Sequence, residues 1–188
     1  LQHRTLGSDM TFYDVNGAQL AVFEAGTDVN GTIITLHGGR GAGDHRSDFR
    51  AYQPLVEAGF RVISYDQRGH GESSQTNPLT YEQLADDFEA LRLQLVGKPV
   101  IVLGGSFGGY IALTYALKYP GSYSHLILRA TSPSWHHEIK ALANVREAAK
   151  RWPDIDVERY ERLFLGVIDD ADNMRANSRS IAPLADGR

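Results

Sequence analysis

The sequence has 188 residues, of which 42% are hydrophobic and 22% charged, a composition that suits one globular domain with a sizeable core. A formal net charge of −4 gives no reason to expect nucleic acid or an anionic membrane surface as a partner. Cysteine is absent, which excludes disulfides, thiolate metal sites and a cysteine nucleophile. No apolar run approaches the length of a membrane span, so we expect a soluble, cytoplasmic protein.

The N-terminal part predicts a β-hairpin followed by alternating strands and helices. Asn16 and Gly17 both tolerate positive φ, and they separate strand-like runs at 11–15 and 18–24. Residues 32–36 then predict a buried strand, because the run is short and apolar. The next predicted features are a glycine-rich loop, a short helix and another strand, at residues 37–43, 54–58 and 61–65 respectively.

The middle of the chain continues this alternation. Thr80 and Gln83 have the spacing of a capping box, which predicts the start of a helix that Gly97 ends. After it we predict a strand, a helix and a second buried strand, at residues 100–103, 110–119 and 126–128 respectively. Because the strands are apolar throughout and alternate with helices, we expect a mostly parallel sheet with helices on both faces.

The stretch from Gly104 to Gly108 reads Gly-Gly-Ser-Phe-Gly, which is G-x-S-x-G between a predicted strand and a predicted helix. In a nucleophile elbow of this kind, the sharp turn strains the serine backbone and exposes its hydroxyl. The flanking positions are glycine because a Cβ there would collide with neighbouring elements. A glycine-rich turn with an incidental serine is the alternative, and the glycine-rich loop upstream favours the elbow.

Residues 132–188 differ in character from the rest, since they predict amphipathic helices and no further strand. Two apolar stripes mark these helices: Ile139, Leu142, Val145 and Ala149, then Val157, Tyr160, Phe164 and Val167. We expect a helical cap over the carboxyl edge of the sheet, where ligands bind in such sheets. The chain therefore divides into a core at 1–131 and a cap at 132–188, with a plain helical appendage as the alternative.

Three segments carry a family signature: His37-Gly38-Gly39, Asp66-Gln67-Arg68-Gly69 and the run from Gly104 to Gly109. With them, the chain resembles an α/β-hydrolase, and within that superfamily the proline iminopeptidase (prolyl aminopeptidase) branch. The resemblance extends from residue 12 to about residue 131. Iminopeptidases usually carry proline at the position of Arg40 and tryptophan at that of Phe107. The run from His70 to Ser73 is closer to esterases and lactonases.

The resemblance implies that Ser106 is the nucleophile of a serine hydrolase that forms an acyl-enzyme. It implies that the backbone N–H groups of Gly39 and Phe107 form the oxyanion hole. Gly38 and Arg40 are candidates for substrate binding, and we expect neither a cofactor nor a metal. The remaining polar residues of these motifs are expected to shape turns: His37, Asp66 and Arg68.

The catalytic base and its carboxylate are harder to place. In the hydrolase order both follow the nucleophile, on loops after strands beyond the cap, and no such strand is predicted before Arg188. His125 opens a predicted buried strand, and His136 and His137 begin the cap, so none suits the base. We therefore expect the N-terminal portion of an enzyme, with the final strands absent and a companion C-terminal segment supplying Asp and His. An incompletely covered sequence and a true truncation are the alternatives.

Three functions remain open at this stage. The first is an aminopeptidase that releases N-terminal proline from small peptides. Its substrate carries a free amine that needs a carboxylate in the cap, where Asp169, Asp170 and Asp172 are nominal candidates. The second is a carboxylesterase or lactonase that uses the same serine. The third is a non-catalytic binding protein with the α/β-hydrolase fold.

Overall fold

The computed structural model describes residues 10–41, 43–134 and 136–164. The strands are β1 (Thr11–Val15), β2 (Ala18–Ala25), β3 (Thr32–Leu36), β4 (Arg61–Tyr65), β5 (Val100–Gly105) and β6 (Tyr123–Arg129). The helices are α1 (His45–Ala51), α2 (Gln53–Glu57), α3 (Tyr81–Leu95), α4 (Phe107–Lys118), α5 (His136–Ala149) and α6 (Val157–Phe164). Across those ranges, no helix combines the length and the apolar character that crossing a membrane requires.

The strands form one sheet in the order β1-β2-β4-β3-β5-β6. β1 and β2 are joined at Asn16 and Gly17, whose φ angles of 47° and 76° are those of the predicted hairpin turn. β2 runs antiparallel to both of its neighbours, whereas β4, β3, β5 and β6 run parallel to one another. The hairpin and the mostly parallel sheet predicted from the sequence are both confirmed.

Helices cover both faces of the sheet, as the apolar strands predict. Phe88 of α3 and Ile111 of α4 belong to the same buried cluster as Ile34 and Leu36 of β3. The opposite face holds a smaller cluster, which α2 covers and which contains Ile33, Val62, Leu103, Leu55 and Val56. A strand buried on both faces has no polar side to alternate with, which explains its unbroken apolar run.

The region after β3 contains a helix that the sequence did not predict. α1 begins after Asp44, whose carboxylate accepts a hydrogen bond from the N–H of Arg46 at 2.9 Å. Its buried side chains are His45 and Asp48, so hydrophobic periodicity gives no signal for it. The helix predicted at 54–58 is present as α2, which begins one residue earlier than predicted.

β6 corrects a second prediction, because the strand predicted to be buried at 126–128 is largely exposed. Ile127 and Leu128 are 45% and 41% exposed, while Leu126 packs against the main core. β6 pairs with β5 along one side and has no second neighbouring strand in the described ranges. An apolar run typical of a central strand therefore lies at the edge of the sheet.

The two predicted cap helices are present as α5 and α6, which pack against each other. Leu142 and Val145 of the first predicted stripe are buried, whereas Ile139 is 54% exposed. Tyr160 of the second stripe is buried, and Val167 lies outside the described residues. The N-terminal end of α5 contacts residues at the carboxyl edge of the sheet, where a cap was expected. The division at 131/132 stays a prediction.

Candidate active site

Ser106 lies at the junction of β5 and α4, with φ of 49° and ψ of −113°. A positive φ at a residue with a Cβ costs about 1–3 kcal/mol, so surrounding contacts must hold it. The Ser106 N–H donates to the carbonyl of Arg129 at 2.9 Å. The Ser106 carbonyl accepts from the N–H of Gly109 and from the hydroxyl of Thr131, both at 2.9 Å. Ser106 is exposed, so the backbone strain and the accessibility predicted for an elbow serine are both present.

The glycines around Ser106 allow α4 to begin directly at the ends of the strands. A Cβ on Gly108 would stand 1.9 Å from the carbonyl oxygen of Leu36, and a Cβ on Gly104 would stand 2.6 Å from the carbonyl oxygen of Gly108. α4 begins at Phe107, earlier than the predicted start at residue 110. The first N–H groups of a helix have no partner within it and carry a partial positive charge. The end of α4 beside Ser106 is therefore suited to negative charge.

The glycine-rich loop after β3 lies against the elbow. A Cβ on Gly38 would stand 3.2 Å from the Cβ of Ser106, which shows how closely the loop backbone approaches the serine. Gly39 adopts a φ of 78°, and its carbonyl accepts a hydrogen bond from the N–H of Gly43 at 2.7 Å. The two predicted oxyanion donors, Gly39 and Phe107, thus lie on the two segments that meet at Ser106.

Arg40 connects this loop to the cap. Its guanidinium lies over the rings of Phe107 and Tyr81, 5.3 Å and 5.6 Å from their centroids, and donates a hydrogen bond to the Tyr81 hydroxyl. It also lies 3.5 Å from the carboxylate of Glu138 on α5. Burial raises the pKa of Glu138, and the charge of Arg40 opposes that rise. The described contacts of Arg40 are therefore internal, and its suggested role in substrate binding stays a proposal.

A cavity of about 350 Å³ opens beside Ser106. Its other walls are Tyr110, residues 130–133 and His137. The Tyr110 hydroxyl lies 2.9 Å and 3.0 Å from the two ring nitrogens of His137, and burial raises the pKa of Tyr110. The sequence placed His137 only at the start of the cap. The structure brings it into the cavity of the candidate nucleophile.

The polar residues expected to shape turns do so. His37 is buried, with its Nδ1 2.8 Å from the carbonyl oxygen of Gly38, and burial lowers the pKa of His37 to about 4. Asp66 is fully buried and accepts backbone hydrogen bonds on both carboxylate oxygens. Arg68 donates to the buried carboxylate of Asp87 at 2.7 Å and 2.8 Å. These motif residues therefore make the contacts expected of side chains that shape turns.

The remaining candidates are not brought to Ser106. His125 was expected in a buried strand and is instead exposed on β6. His136 is exposed, with its Nδ1 2.9 Å from the Ser134 hydroxyl. Among the described residues, no three His, Cys, Asp or Glu side chains gather as metal ligands would. The nominal amine-binding carboxylates lie outside the described residues: Asp169, Asp170 and Asp172.

Comparison with known proteins agrees with this geometry. Residues 31–180 match the family model of the alpha/beta hydrolase fold. The chain is 44% identical over 175 residues to proline iminopeptidase PfmaB of Pestalotiopsis fici, covering 92% of this chain and 62% of that protein. It is 34% identical over 142 residues to the proline iminopeptidase of Saccharolobus solfataricus, covering 71% of this chain and 44% of that protein.

Among solved structures, an esterase from Exiguobacterium antarcticum superimposes with a TM-score of 0.63 at 21% identity, covering 90% of this chain and 72% of that one. That likeness concerns the fold alone. The chain spans less than two thirds of the length of the curated relatives named above. The family match, the elbow at Ser106 and the mostly parallel sheet lead to one conclusion: the chain belongs to the α/β-hydrolase fold family.

Proposed function

We propose that this chain provides the nucleophile and the oxyanion site of a serine hydrolase that acts through an acyl-enzyme. The observation that carries the proposal is Ser106, exposed at φ 49° against a glycine loop. Its hydroxyl oxygen attacks the carbonyl carbon of a peptide or ester, and the catalytic base passes the hydroxyl proton to the departing amine or alcohol, which leaves the acyl-enzyme. Water then releases the acid and restores the serine. The N–H groups of Gly39 and Phe107 receive the negative charge that develops on the carbonyl oxygen.

The narrower proposal is a proline iminopeptidase-like enzyme that releases N-terminal proline from small peptides. Its support is the identity of 44% over 92% of this chain to a protein named proline iminopeptidase. Gly38 and Arg40 lie next to Gly39 and are proposed to take part in substrate binding. Residues 132–188 are proposed to form the cap over this site, and the location of the enzyme is proposed to be cytoplasmic.

The triad is proposed to be completed by an Asp and a His from a companion C-terminal segment of the same protein. His137 is the histidine that lines the cavity of Ser106 among the described residues, and both of its ring nitrogens lie within reach of the Tyr110 hydroxyl. β6 exposes apolar side chains and one strand edge, which suits an added strand. The greater length of the relatives supports the same proposal.

A carboxylesterase or lactonase is the second candidate, and the cavity itself favours it. Hydroxyl groups, an imidazole and small apolar groups line the cavity, and no carboxylate stands among its described lining residues. Glu138 lies nearby but pairs with Arg40. A free N-terminal amine would therefore find no anionic partner among the described lining residues, whereas a neutral ester needs none. A non-catalytic binding protein with the same fold is the remaining alternative.

Labelling with a fluorophosphonate tests the shared part of these proposals. The complete protein is expected to take up one phosphonyl group at Ser106, and Ser106→Ala is expected to take up none. An unlabelled wild-type protein would leave only the non-catalytic alternative. Proline arylamides and short-chain aryl esters then separate the two enzymes, since turnover of esters alone would remove the peptidase.

The companion segment is tested by the composition of the active preparation. Intact-mass analysis and a denaturing gel are expected to reveal chain beyond these 188 residues, either continuous with them or as a separate species. Full activity in a preparation that contains only these residues would contradict the proposal. In that case His137 would become the candidate base, and His137→Ala would be expected to abolish turnover.

A further inference from the structure

His70 lies between the two segments that carry the predicted oxyanion donors. It follows β4 in a tight turn and is 2% exposed. On one side, its Nε2 is 2.8 Å from the backbone nitrogen of Gly41 in the glycine-rich loop. On the other side, its ring stacks on that of Phe107, with centroids 5.7 Å apart and planes inclined by 30°. One imidazole therefore contacts both the loop of Gly39 and the residue after the nucleophile.

The hydrogen bonds of His70 determine where its proton lies. Nδ1 is 3.0 Å from the carbonyl oxygen of Arg68, which can only accept, so Nδ1 carries the hydrogen. The Gly41 N–H can only donate, so Nε2 offers its lone pair. The ring is thus the neutral Nδ1–H tautomer, and both of its nitrogens serve backbone groups. These contacts suit a residue that positions its neighbours rather than one that transfers protons.

The turn that carries His70 is held by backbone hydrogen bonds and by a buried ion pair. Its own N–H donates to the carbonyl of Gln67 at 2.9 Å, and its carbonyl accepts from the N–H of Ser73 at 3.0 Å. Arg68, whose carbonyl holds Nδ1, is fixed by a buried ion pair with Asp87. The imidazole is therefore attached to a well-ordered turn on one side and to the glycine loop on the other.

The glycine loop needs such an attachment. Gly39 and Gly41 adopt φ angles of 78° and 80°, and residues without a Cβ impose little restriction on the backbone. An oxyanion site works only if its N–H groups are already aimed before charge develops. The Gly41 N–H bond to His70 fixes the loop two residues beyond Gly39, and the stacked ring fixes Phe107.

We propose that His70 is a positioning residue for the oxyanion site, which it sets by holding Gly41 and Phe107 in one fixed arrangement. This proposal rests on the proposed hydrolase function. His70 is not among the described residues that line the cavity beside Ser106. Its loss would weaken stabilisation of the transition state and leave binding of the substrate in its ground state largely unchanged.

The test compares His70→Leu with His70→Gln in the complete, active enzyme. Leucine fills the space but accepts no hydrogen bond. In glutamine, the side-chain amide oxygen is separated from Cβ by the same number of bonds as Nε2 is in histidine, so it can accept the hydrogen bond from Gly41. In His70→Leu, kcat is expected to fall about 10- to 100-fold with KM changed less than about threefold. His70→Gln restores the acceptor for the Gly41 N–H but not the ring stacked on Phe107, so it is expected to recover part of the lost kcat. Full kcat in His70→Leu, or an equal loss in both variants, would overturn the proposal.

Two measurements on the protein itself do not depend on activity. Nitrogen-15 shifts of the His70 ring are expected to show the neutral Nδ1–H tautomer, and an Nε2–H or protonated ring would overturn the proposal. Hydrogen exchange at the Gly41 amide is expected to be slow in wild type and in His70→Gln. Exchange as fast as in an unstructured peptide would equally overturn it. A wild-type enzyme that resists fluorophosphonate would instead remove the hydrolase function, while these two measurements still decide the role of His70.

Discussion

Replacing Ser106 by glycine is expected to stabilise the fold while removing the nucleophile. The φ of 49° costs a residue with a Cβ about 1–3 kcal/mol, and glycine adopts it without that cost. Glycine in turn loses about 0.5–1 kcal/mol because its unfolded chain has more conformational freedom. The hydrogen bonds described above for Ser106 use its backbone N–H and carbonyl, which glycine retains. The expected net gain in the free energy of unfolding is therefore about 0–2.5 kcal/mol.

Ser106→Ala is the matched control for this prediction. Alanine loses the hydroxyl but keeps the Cβ and hence the strain, so its free energy of unfolding is expected within about 0.5 kcal/mol of wild type. Urea titrations of the three proteins, with an unchanged dependence on denaturant, give the comparison directly. A glycine variant less stable than the alanine variant would refute the reasoning, because the strain at Ser106 would then be smaller than the about 0.5–1 kcal/mol that glycine loses.

Three further outcomes follow from the described contacts. Gly108→Ala is expected to lower the free energy of unfolding by about 3 kcal/mol or more, because the new Cβ would meet the backbone of Leu36; a variant with an unchanged urea midpoint would contradict this. Arg40→Met is expected to destabilise the protein more at neutral pH than near the ordinary pKa of a glutamate. In this variant the Glu138 carboxylate has lost its cation, and because burial raises the pKa of Glu138, acid protonates and neutralises it. Urea midpoints of wild type and variant at both pH values test this prediction. An equal loss of stability at the two pH values would contradict it. Stability is also expected to fall as pH drops from about 6.5 towards about 4, because burial keeps His37 neutral in the folded state while the unfolded chain takes up a proton. The same pH series on His37→Asn is expected to be flatter, and an identical slope would assign the effect to other groups.

The sequence predicted those parts of the fold that local chemistry decides. Asn16 and Gly17 encode the hairpin turn, and the apolar runs of β3 and β4 mark strands whose bounds agree with the structure. The G-x-S-x-G pattern located the strained serine, because only glycine fits beside the backbone there. For the hairpin and the strands the determining features lie close together in sequence, and for the elbow the motif marks the serine although Gly108 faces the distant Leu36.

The parts that failed depend on distant contacts. α1 buries His45 and Asp48, so its inner face has no apolar signature. The exposure of Ile127 depends on which strands lie beside β6, which its own residues do not encode. The approach of Arg40 to Glu138 joins residues 98 positions apart, and no local pattern predicts such a contact.

The candidate site shows the same division. Ser106 was identified from its own motif, whereas His137 lines the same cavity although it lies 31 positions further along the chain. The sequence signal available for His137 was a helix start just after Ser132-Pro133-Ser134. Such a signal indicates that the chain changes direction, but it does not show which residues the helix will contact. In the sequence, His70 stood out only as the first residue of the run from His70 to Ser73. Its contacts with Gly41 and Phe107 could not be predicted from that run, because both partners lie on other segments of the chain.

The amide of Ser106 is bonded to the carbonyl of Arg129, the last residue of the exposed strand β6, and Thr131 just beyond holds the Ser106 carbonyl. Outermost strands fray at a lower free energy than the core unfolds. Where no further strand covers β6, fraying at this end would release the serine from its constrained backbone while the rest of the sheet stays intact. On heating, the reactivity of the Ser106 hydroxyl should therefore be lost before the circular dichroism of the helices begins to change.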